Sequence, residues 1–383
     1  AVARGAVAVA IQKQTPIPAH LTCVRLQDTR RGLALMASKF YGYPCSKIRA
    51  IGVTGTNGKT TTTYMIRKID EYEGIKTGLI GTIHNMVGEK VLPVIHTTPE
   101  SVDLQKLLCE MIMEQVNTVV MEVSSHALAL HRVEGCSFKT SVFTNISQDH
   151  LDFHHNMNDY LAAKLKLFSN SEKAVINNDD HHSQKVIEAS SGKVITYAIK
   201  KKSDVMASEI DISPTGVSFR VNEARGAIKI NLKLTGLFNV YNALAAYSVG
   251  MAEGFEPQVI KRALEEVKGV PGRFELVNKG QHFAVIVDYA HTPDGLENIL
   301  STAREFTRGR LISIFGCGGD RDRTKRPIMG QIGAELSDIA IITSDNPRTE
   351  EPEIIINDIM EGVYKVKNAR YFVIPDRRTA IGR

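Results

Sequence analysis

One stretch constrains the fold of this chain more than any other: Ile51 to Thr63, reading Ile-Gly-Val-Thr-Gly-Thr-Asn-Gly-Lys-Thr-Thr-Thr-Thr. An apolar approach through Ile48, Ala50, Ile51 and Val53 ends in three glycines within seven residues, and Thr60 to Tyr72 has a helical pattern. Strand, glycine-rich turn and helix in that order make a phosphate cradle. Glycines let successive N–H groups face phosphate oxygens, and the helix adds the positive end of its dipole. Lys59 would then reach the β- and γ-phosphates, and the Thr60 hydroxyl would ligate Mg²⁺. The general pattern has glycine five places before Gly58, where this chain carries Val53 flanked by Gly52 and Gly55, so the loop is a variant. The competing reading is a glycine-rich turn with a chance lysine.

At 383 residues the chain has room for two or three domains. A net charge of +5 from scattered Lys and Arg does not argue for nucleic acid, although mild basicity suits anionic ligands. Five cysteines form no CxxC pair, which indicates neither a disulfide framework nor a zinc cluster and fits a reducing, cytoplasmic setting. No apolar run approaches the roughly 18 residues of a membrane span, and Ala6 to Ile11 lacks a signal peptide's flanks. The chain starts without methionine inside a strand-like pattern and stops at Arg383 just after a helix-like start, so both ends read as incomplete.

Residues 1–46 hold strand-like runs at Ala6 to Ile11 and Cys23 to Leu26, and a helix from Thr29 to Phe40 whose apolar face is Leu33, Leu35, Met36 and Phe40. From Lys47, short apolar strands alternate with helices, which implies a parallel sheet. The strand Thr118 to Met121 runs into Glu122-Val123-Ser124-Ser125-His126, and Ser141 to Phe143 runs into the polar segment Thr144 to His154. In open parallel sheets ligands bind beyond the carboxyl ends of strands, where these clusters fall. Further strands are expected at Ala174 to Ile176, Val194 to Tyr197, Gly216 to Val221 and Ile228 to Leu234, with a helix opened by Gly236 to Asn242. Val270-Pro271-Gly272-Arg273 marks a hinge into a third unit, with strands at Phe283 to Val287, Leu311 to Phe315 and Ile339 to Thr343.

Several side chains carry two readings. Glu122 could hold a metal or position water, since Mg²⁺ prefers oxygen ligands, or it could cap or pair with a cation. Ser124, Ser125 and His126 could merely cap a helix. The run Asp149-His150-Leu151-Asp152-Phe153-His154-His155 allows a metal site, although no cysteine or H-E-x-x-H partner supports zinc. Lys164 is by spacing alone an ordinary solvated lysine. Arg321 and Arg348, in strand-end loops of the third unit, suit carboxylate recognition or surface ion pairing.

Taken jointly, these motifs closely resemble the Mur ligases, the ATP-dependent amino-acid ligases of peptidoglycan precursor synthesis, and among them the branch that adds meso-2,6-diaminopimelate. The resemblance runs through Gly-Thr-Asn-Gly-Lys-Thr-Thr, Thr-Thr-Pro-Glu, Met-Glu-Val-Ser-Ser-His-Ala-Leu, Asp-His-Leu-Asp-Phe-His, Gly-Leu-Phe-Asn-Val-Tyr-Asn, Asp-Tyr-Ala-His-Thr-Pro, Gly-Cys-Gly-Gly-Asp-Arg-Asp and Asp-Asn-Pro-Arg. It implies a three-domain α/β architecture: residues 1–46 as a remnant of an N-terminal domain for the UDP-linked substrate, 47–270 as a central ATP-binding P-loop domain with a parallel sheet, and 271–383 as an incomplete Rossmann-like domain for the amino acid.

The resemblance also implies roles. Gly55, Thr56, Asn57, Gly58, Lys59, Thr60 and Thr61 would bind ATP phosphates, with Thr60 and Glu122 at one Mg²⁺ and His150 at a second. Lys164 matches the lysine that the family carbamylates with CO₂ to help hold that second metal, with Lys166 as the alternative register. Thr97, Thr98, Ser124 and Arg132 match contacts to the UDP-N-acetylmuramoyl-L-alanyl-D-glutamate substrate. Asn239 and Asn242 match the adenine side, and Arg273, Asp288 and His291 match nucleotide contacts from the third domain. Arg321, Asp345, Asn346, Pro347 and Arg348 match the diaminopimelate site. Arg348 carries the choice of amino acid, because diaminopimelate has a second carboxylate and lysine-adding relatives lack this arginine.

The reaction implied is transfer of the γ-phosphate to the D-glutamate γ-carboxylate, then attack on the acyl phosphate by the amine. The expected protein is a monomer without nucleic-acid partners or a membrane span. With the ends it has, the chain is expected to bind ATP and turn over poorly or not at all. Two other readings share the ATP core: a non-catalytic ATP-binding scaffold of the same ancestry, and a ligase like folylpolyglutamate synthetase.

Overall fold

A computed structural model describes residues 2–383. Its centre is an 11-stranded sheet. Seven parallel strands run in the order Val205–Ser213, Lys193–Ala198, Ser171–Asn177, Phe138–Phe143, Arg49–Thr54, Thr118–Glu122 and Thr77–Ile80. Antiparallel strands finish both edges: Gly216–Glu223 and Gly226–Leu232 on one side, Asn85–Val87 and Lys90–Leu92 on the other. Alternation along each strand separates two cores. Ile51, Val53, Val120 and Val142 face one side with Met65, Ile66 and Ile69 of the helix Lys59–Tyr72 and much of Leu237–Ala252. Ala50, Val119, Met121 and Phe143 face the other, with Leu104, Leu108 and Met111 of Ser101–Met113. Burial on both faces is what makes these strands near-continuous apolar runs.

The register fixes the site. Val53 pairs with Glu122 and Thr54 with Phe143, so the carboxyl ends of three adjacent strands finish at one level. The chain leaves the strand Arg49–Thr54 for one side of the sheet and returns later on the other, so the glycine loop sits at the switch point.

The third unit has its own core. Its parallel strands Ile312–Phe315, Ile339–Ile342 and Tyr371–Val373 carry the helices Pro293–Phe306, Lys325–Leu336 and Pro352–Val363. It is pinned by Arg326, whose fully buried guanidinium meets both oxygens of Glu350 (2.7 and 3.0 Å) and Asp358 (2.8 Å). The Arg326 hydrogen bond holds the Glu350 carboxyl down to about 2. A carboxylate lowered in the folded state stabilises above its unfolded value near 4.3, and that contribution is lost as pH falls toward 2. Acid unfolding followed by far-UV circular dichroism should therefore show this unit loosening between about pH 4.5 and 2. Arg326→Met should lower stability by about 3 kcal/mol and blunt that dependence, because it leaves Glu350 without its cation and Asp358 with Arg323 alone.

Several expectations need correction. The helix Thr29–Phe40 forms as expected, but it packs through Ala34, Ala37 and Ser38, while Leu33, Leu35, Met36 and Phe40 are exposed. Its neighbour is the backbone at Gly135, whose carbonyl accepts from Ser38 Oγ (3.3 Å), and only small residues allow that approach. The expected strand Phe283 to Val287 shrinks to Ile286–Val287, paired with Glu275–Leu276. The strand Val205–Ser213, the hairpin over 85–92 and the helices Pro257–Glu266 and Pro352–Val363 were not expected from pattern. Among the described residues no helix is long and apolar enough to cross a membrane.

Candidate active site

The glycine loop is braced from the neighbouring strand end. Thr56 N donates to Asn145 O (2.9 Å), Asn57 N to Asn145 Oδ1 (2.9 Å), and Thr144 Oγ1 to Asn57 O (2.6 Å). Thr56 Oγ1 reaches Ser147 O (3.2 Å) and the Tyr160 hydroxyl (3.1 Å). Gly58 has φ +86°, and a Cβ there would lie 2.4 Å from Asn242 Oδ1, so only glycine fits. The first helical bond runs from Thr62 N to Gly58 O, which leaves the amides of Lys59, Thr60 and Thr61 ahead of the ladder at the positive helix end. Such an end suits phosphate oxygens.

Two lysines converge on one carbonyl. Lys59 Nζ donates to Gly55 O (2.9 Å) and Thr56 O (2.8 Å), and Lys164 Nζ donates to the same Gly55 O (2.9 Å). Lys164 is 1% exposed, inside the helix Met157–Leu165, with its ammonium 4.4 Å from the Tyr160 ring centre. It is not the solvated lysine that spacing allowed. Burial first, then the Lys59 charge, pushes its pKa well below the usual lysine value. Lys166, the alternative register, lines a separate cavity near Leu128 and Cys136.

Glu122 is 1% exposed at its strand end. Its carboxylate accepts from Thr60 Oγ1 (3.1 Å) and from Thr82 through N (2.8 Å) and Oγ1 (3.1 Å). Carboxylate and hydroxyl together supply the oxygen donors Mg²⁺ prefers. Thr82 was missed by sequence reasoning. So was the reason for Gly81, where a Cβ would stand 2.5 Å from Glu122 Oε1. Among the described residues no three His, Cys, Asp or Glu side chains converge as a metal cage.

His150 takes a left-handed backbone (φ +56°) and sits beside Asp149, with Nε2 3.2 Å from Oδ2. Burial, reinforced by His126, Lys59 and Lys164, holds its pKa down to about 3, so at neutral pH its ring is uncharged with a lone pair available. Asp149 is buried, and the hydrogen bond from His291 together with the Lys325 charge outweighs that burial and holds its pKa below the usual carboxylate value.

The third unit reaches this loop. Arg273 Nη2 donates to Thr60 Oγ1 (2.9 Å), with its guanidinium 4.7 Å from the Tyr289 ring centre, and Asn57 Nδ2 donates to Asp294 Oδ2 (2.6 Å). His291 Nε2 approaches Asp149 Oδ2 at 3.6 Å. Asp288 instead accepts from Phe274 N and Ala290 N (2.6 Å each), which fixes the turn that carries Arg273. Asn239 and Asn242 are buried and interlocked (3.1 Å), and Asn239 Nδ2 is taken by Thr235 O (2.8 Å). They lie behind the loop.

Of the residues expected near the UDP-linked substrate, Thr98 is fully buried. Its hydroxyl donates to Glu122 O (2.8 Å) and accepts from Ser124 N (3.1 Å), so it braces the strand end. Thr97 Oγ1 lies 3.1 Å from Thr82 Oγ1. Arg132 donates to Thr98 O (3.0 Å) and pairs with Glu100 (2.7 Å), while Ser124 Oγ caps the helix Ser125–Ala129 by accepting from Ala127 N (3.1 Å).

In the third unit the loops after Phe315 and Ile342 are stitched together by Gly319 N to Asn346 O (2.9 Å), with Pro347 O close against Gly319. Arg321 Nη1 is held by Asp320 O (2.8 Å) and Arg348 Nη1 by Gly319 O (2.6 Å). Both side chains are exposed, and neither forms an ion pair with a carboxylate among the described residues. Asp345 instead faces Arg377 (3.6 Å).

A P-loop at a sheet switch point, a strand-end carboxylate and a third domain that reaches the loop define a nucleotide-dependent ligase core, and the chain belongs to the Mur ligases. The profile of the Mur ligase middle domain matches residues 53–250, and that of the Mur ligase glutamate ligase domain matches residues 272–383. Over 386 aligned residues the chain is 51% identical to the UDP-N-acetylmuramoyl-L-alanyl-D-glutamate--2,6-diaminopimelate ligase of Syntrophomonas wolfei, covering 100% of this chain and 79% of that one. The Clostridium botulinum protein of the same name is also 51% identical, over 94% of this chain and 74% of its own. A solved diaminopimelate ligase structure superposes with TM-score 0.71 at 33% identity, over 99% of this chain and 78% of that one. Mycobacterium tuberculosis folylpolyglutamate synthase with ADP superposes at 0.75 but with 20% identity, over 93% and 86% of the two chains, which shows a shared fold and nothing about substrate.

Proposed function

We propose that this chain is an ATP-dependent ligase that joins meso-2,6-diaminopimelate to the D-glutamate γ-carboxylate of UDP-N-acetylmuramoyl-L-alanyl-D-glutamate in peptidoglycan synthesis. One observation carries the reading: identity of about half to diaminopimelate ligases over the whole of this chain, whose Arg348 lies exposed at the strand-end loops without a carboxylate partner among the described residues. The units 1–46, 47–270 and 271–383 would serve the UDP-linked substrate, ATP and the amino acid respectively.

The loop amides and Lys59 would hold the ATP phosphates, and Lys59 would offset the charge that develops as the γ-phosphoryl moves to the substrate carboxylate. Arg273 would add a second cation, and it can do so only while the third unit rests on the loop. Mg²⁺ at Thr60 and Glu122 would supply Lewis-acid polarisation of the phosphates. At a second ion, His150 and Lys164 alone present nitrogen donors, a poor match for Mg²⁺. A carbamate fits better: the neutral Lys164 amine attacks CO₂, one proton leaves, and the product is an anionic oxygen donor in the same place. The amine of diaminopimelate would then attack the acyl phosphate, with Arg348 and Arg321 holding its distal carboxylate in a bidentate fork.

The test is phosphate release from ATP with the UDP-linked dipeptide present, comparing meso-diaminopimelate, L-lysine and no amino acid. Release that requires diaminopimelate supports the reading; release with L-lysine alone overturns it, and if ATP binds without release the same assay on a chain carrying the relatives' terminal segments decides, no release there overturning it. Arg348→Ala should cut kcat/KM for diaminopimelate by about 10- to 150-fold, the worth of one charged hydrogen-bonded partner, and leave ATP binding unchanged.

A further inference from the structure

Asp149 and Lys325 are each 3% exposed, and they meet across the junction of the central and third units with Nζ 3.2 Å from Oδ1. Lys325 opens the helix Lys325–Leu336, where its ammonium lies at the positive end of the dipole. Burial and dipole both disfavour a cation there, and Asp149 is the one carboxylate in ion-pair range of it among the described residues. A buried pair of this kind adds little net stability but fixes register, since either partner alone is an uncompensated charge. The same carboxylate serves the site: its Oδ1 accepts from His150 N (2.9 Å), and its Oδ2 faces His150 Nε2 (3.2 Å) and His291 Nε2 (3.6 Å). Beside it, Gln148 Nε2 donates to Thr324 Oγ1 (2.8 Å) on the loop that leads into the Lys325 helix. Both oxygens of one buried acid therefore touch the active-site histidine and the third unit at once.

We infer that Asp149 and Lys325 form a latch: Lys325 docks the third unit on Asp149, and Asp149 in turn sets the backbone and ring of His150, so that domain closure and site geometry are one event. The inference rests on the proposed ligase reading. Asp149 and Lys325 are positioning residues, acting through His150 and through the placement of Arg273.

The experiment compares Asp149→Asn, Lys325→Met and the double variant in the whole chain, by single-turnover phosphate release, by binding of a non-hydrolysable ATP analogue, and by small-angle scattering without substrates. Lys325→Met is expected to slow turnover by about tenfold or more, to change analogue affinity by less than about threefold, and to raise the radius of gyration. Asp149→Asn should do at least as much, and the double variant should fall within about threefold of Asp149→Asn, because the second change removes a partner already lost. Losses that multiply, or a Lys325→Met protein with unmodified rate and radius of gyration, would overturn the latch. If Asp149→Asn does not fold, Lys325→Met, which keeps length and bulk, still decides. If the unmodified chain releases no phosphate, the radius of gyration of Lys325→Met judges the latch by itself, and the ligase reading is judged separately by the amino-acid comparison.

Discussion

Lys164→Met should reduce diaminopimelate-dependent phosphate release by about 10³-fold, roughly 4 kcal/mol of transition-state stabilisation, while the melting temperature stays level or rises. The two readouts move apart for a physical reason. Lys164 Nζ is buried with one hydrogen bond, to Gly55 O (2.9 Å), and it shares that carbonyl with Lys59 Nζ. Two ammonium groups on one carbonyl repel; Asp149 supports the charge of both, but Glu122 supports that of Lys59, so the Lys164 pKa is pushed further below the usual lysine value. A buried amine costs desolvation that a methionine does not, so stability does not suffer. A neutral amine is also what CO₂ captures. Incubation with ¹³C-bicarbonate should give a carbamate carbon resonance that Lys164→Met lacks. Lys164→Arg should be as inactive as Lys164→Met, since it restores bulk and charge but no oxygen donor. Full activity in either variant would remove Lys164 from the chemistry.

Lys59→Met is the second large effect, a loss of about 10²- to 10³-fold in turnover. Here the cause is charge that develops only during phosphoryl transfer. The loop amides ahead of Thr62 N can hold the ground-state phosphates without Lys59, so affinity for ATP should fall far less than the rate. Lys59→Arg should not rescue, because the planar guanidinium fork cannot repeat the paired approach to Gly55 O and Thr56 O (2.9 and 2.8 Å) within this buried loop. Equal losses in ATP affinity and rate would show that Lys59 binds without assisting the transfer.

The phosphate loop was legible because its chemistry is local. Three glycines, a lysine and a threonine at fixed spacing specify a turn and a helix end whatever the rest of the chain does. The parallel strands were legible for a related reason, since burial on both faces writes a continuous apolar run into each. The strand Val205–Ser213, the last of the parallel set, carries Glu209 and Asp211 and presents no such run. The Thr29–Phe40 helix shows the limit from the other side. Its apolar stripe has helical spacing, yet which face is covered depends on where Gly135 lies, about a hundred residues away.

Within the site, the sequence by itself determined which groups exist and that several would lie at strand ends: Lys59 and Thr60 after one strand, Glu122 after the next, Asp149 and His150 beyond a third. Only the tertiary structure decided what each of them meets. It turned Thr98, Asn239 and Asn242 inward, brought Thr82 onto Glu122, placed Lys59 and Lys164 on one carbonyl, and set Lys325 against Asp149 across 176 positions of chain. The physical reason is one of range. A hydrogen-bonding pattern that closes within a turn is written in neighbouring residues, whereas burial, ion pairing and the pKa shifts they cause depend on which distant side chains the sheet order and the third unit bring within about 4 Å.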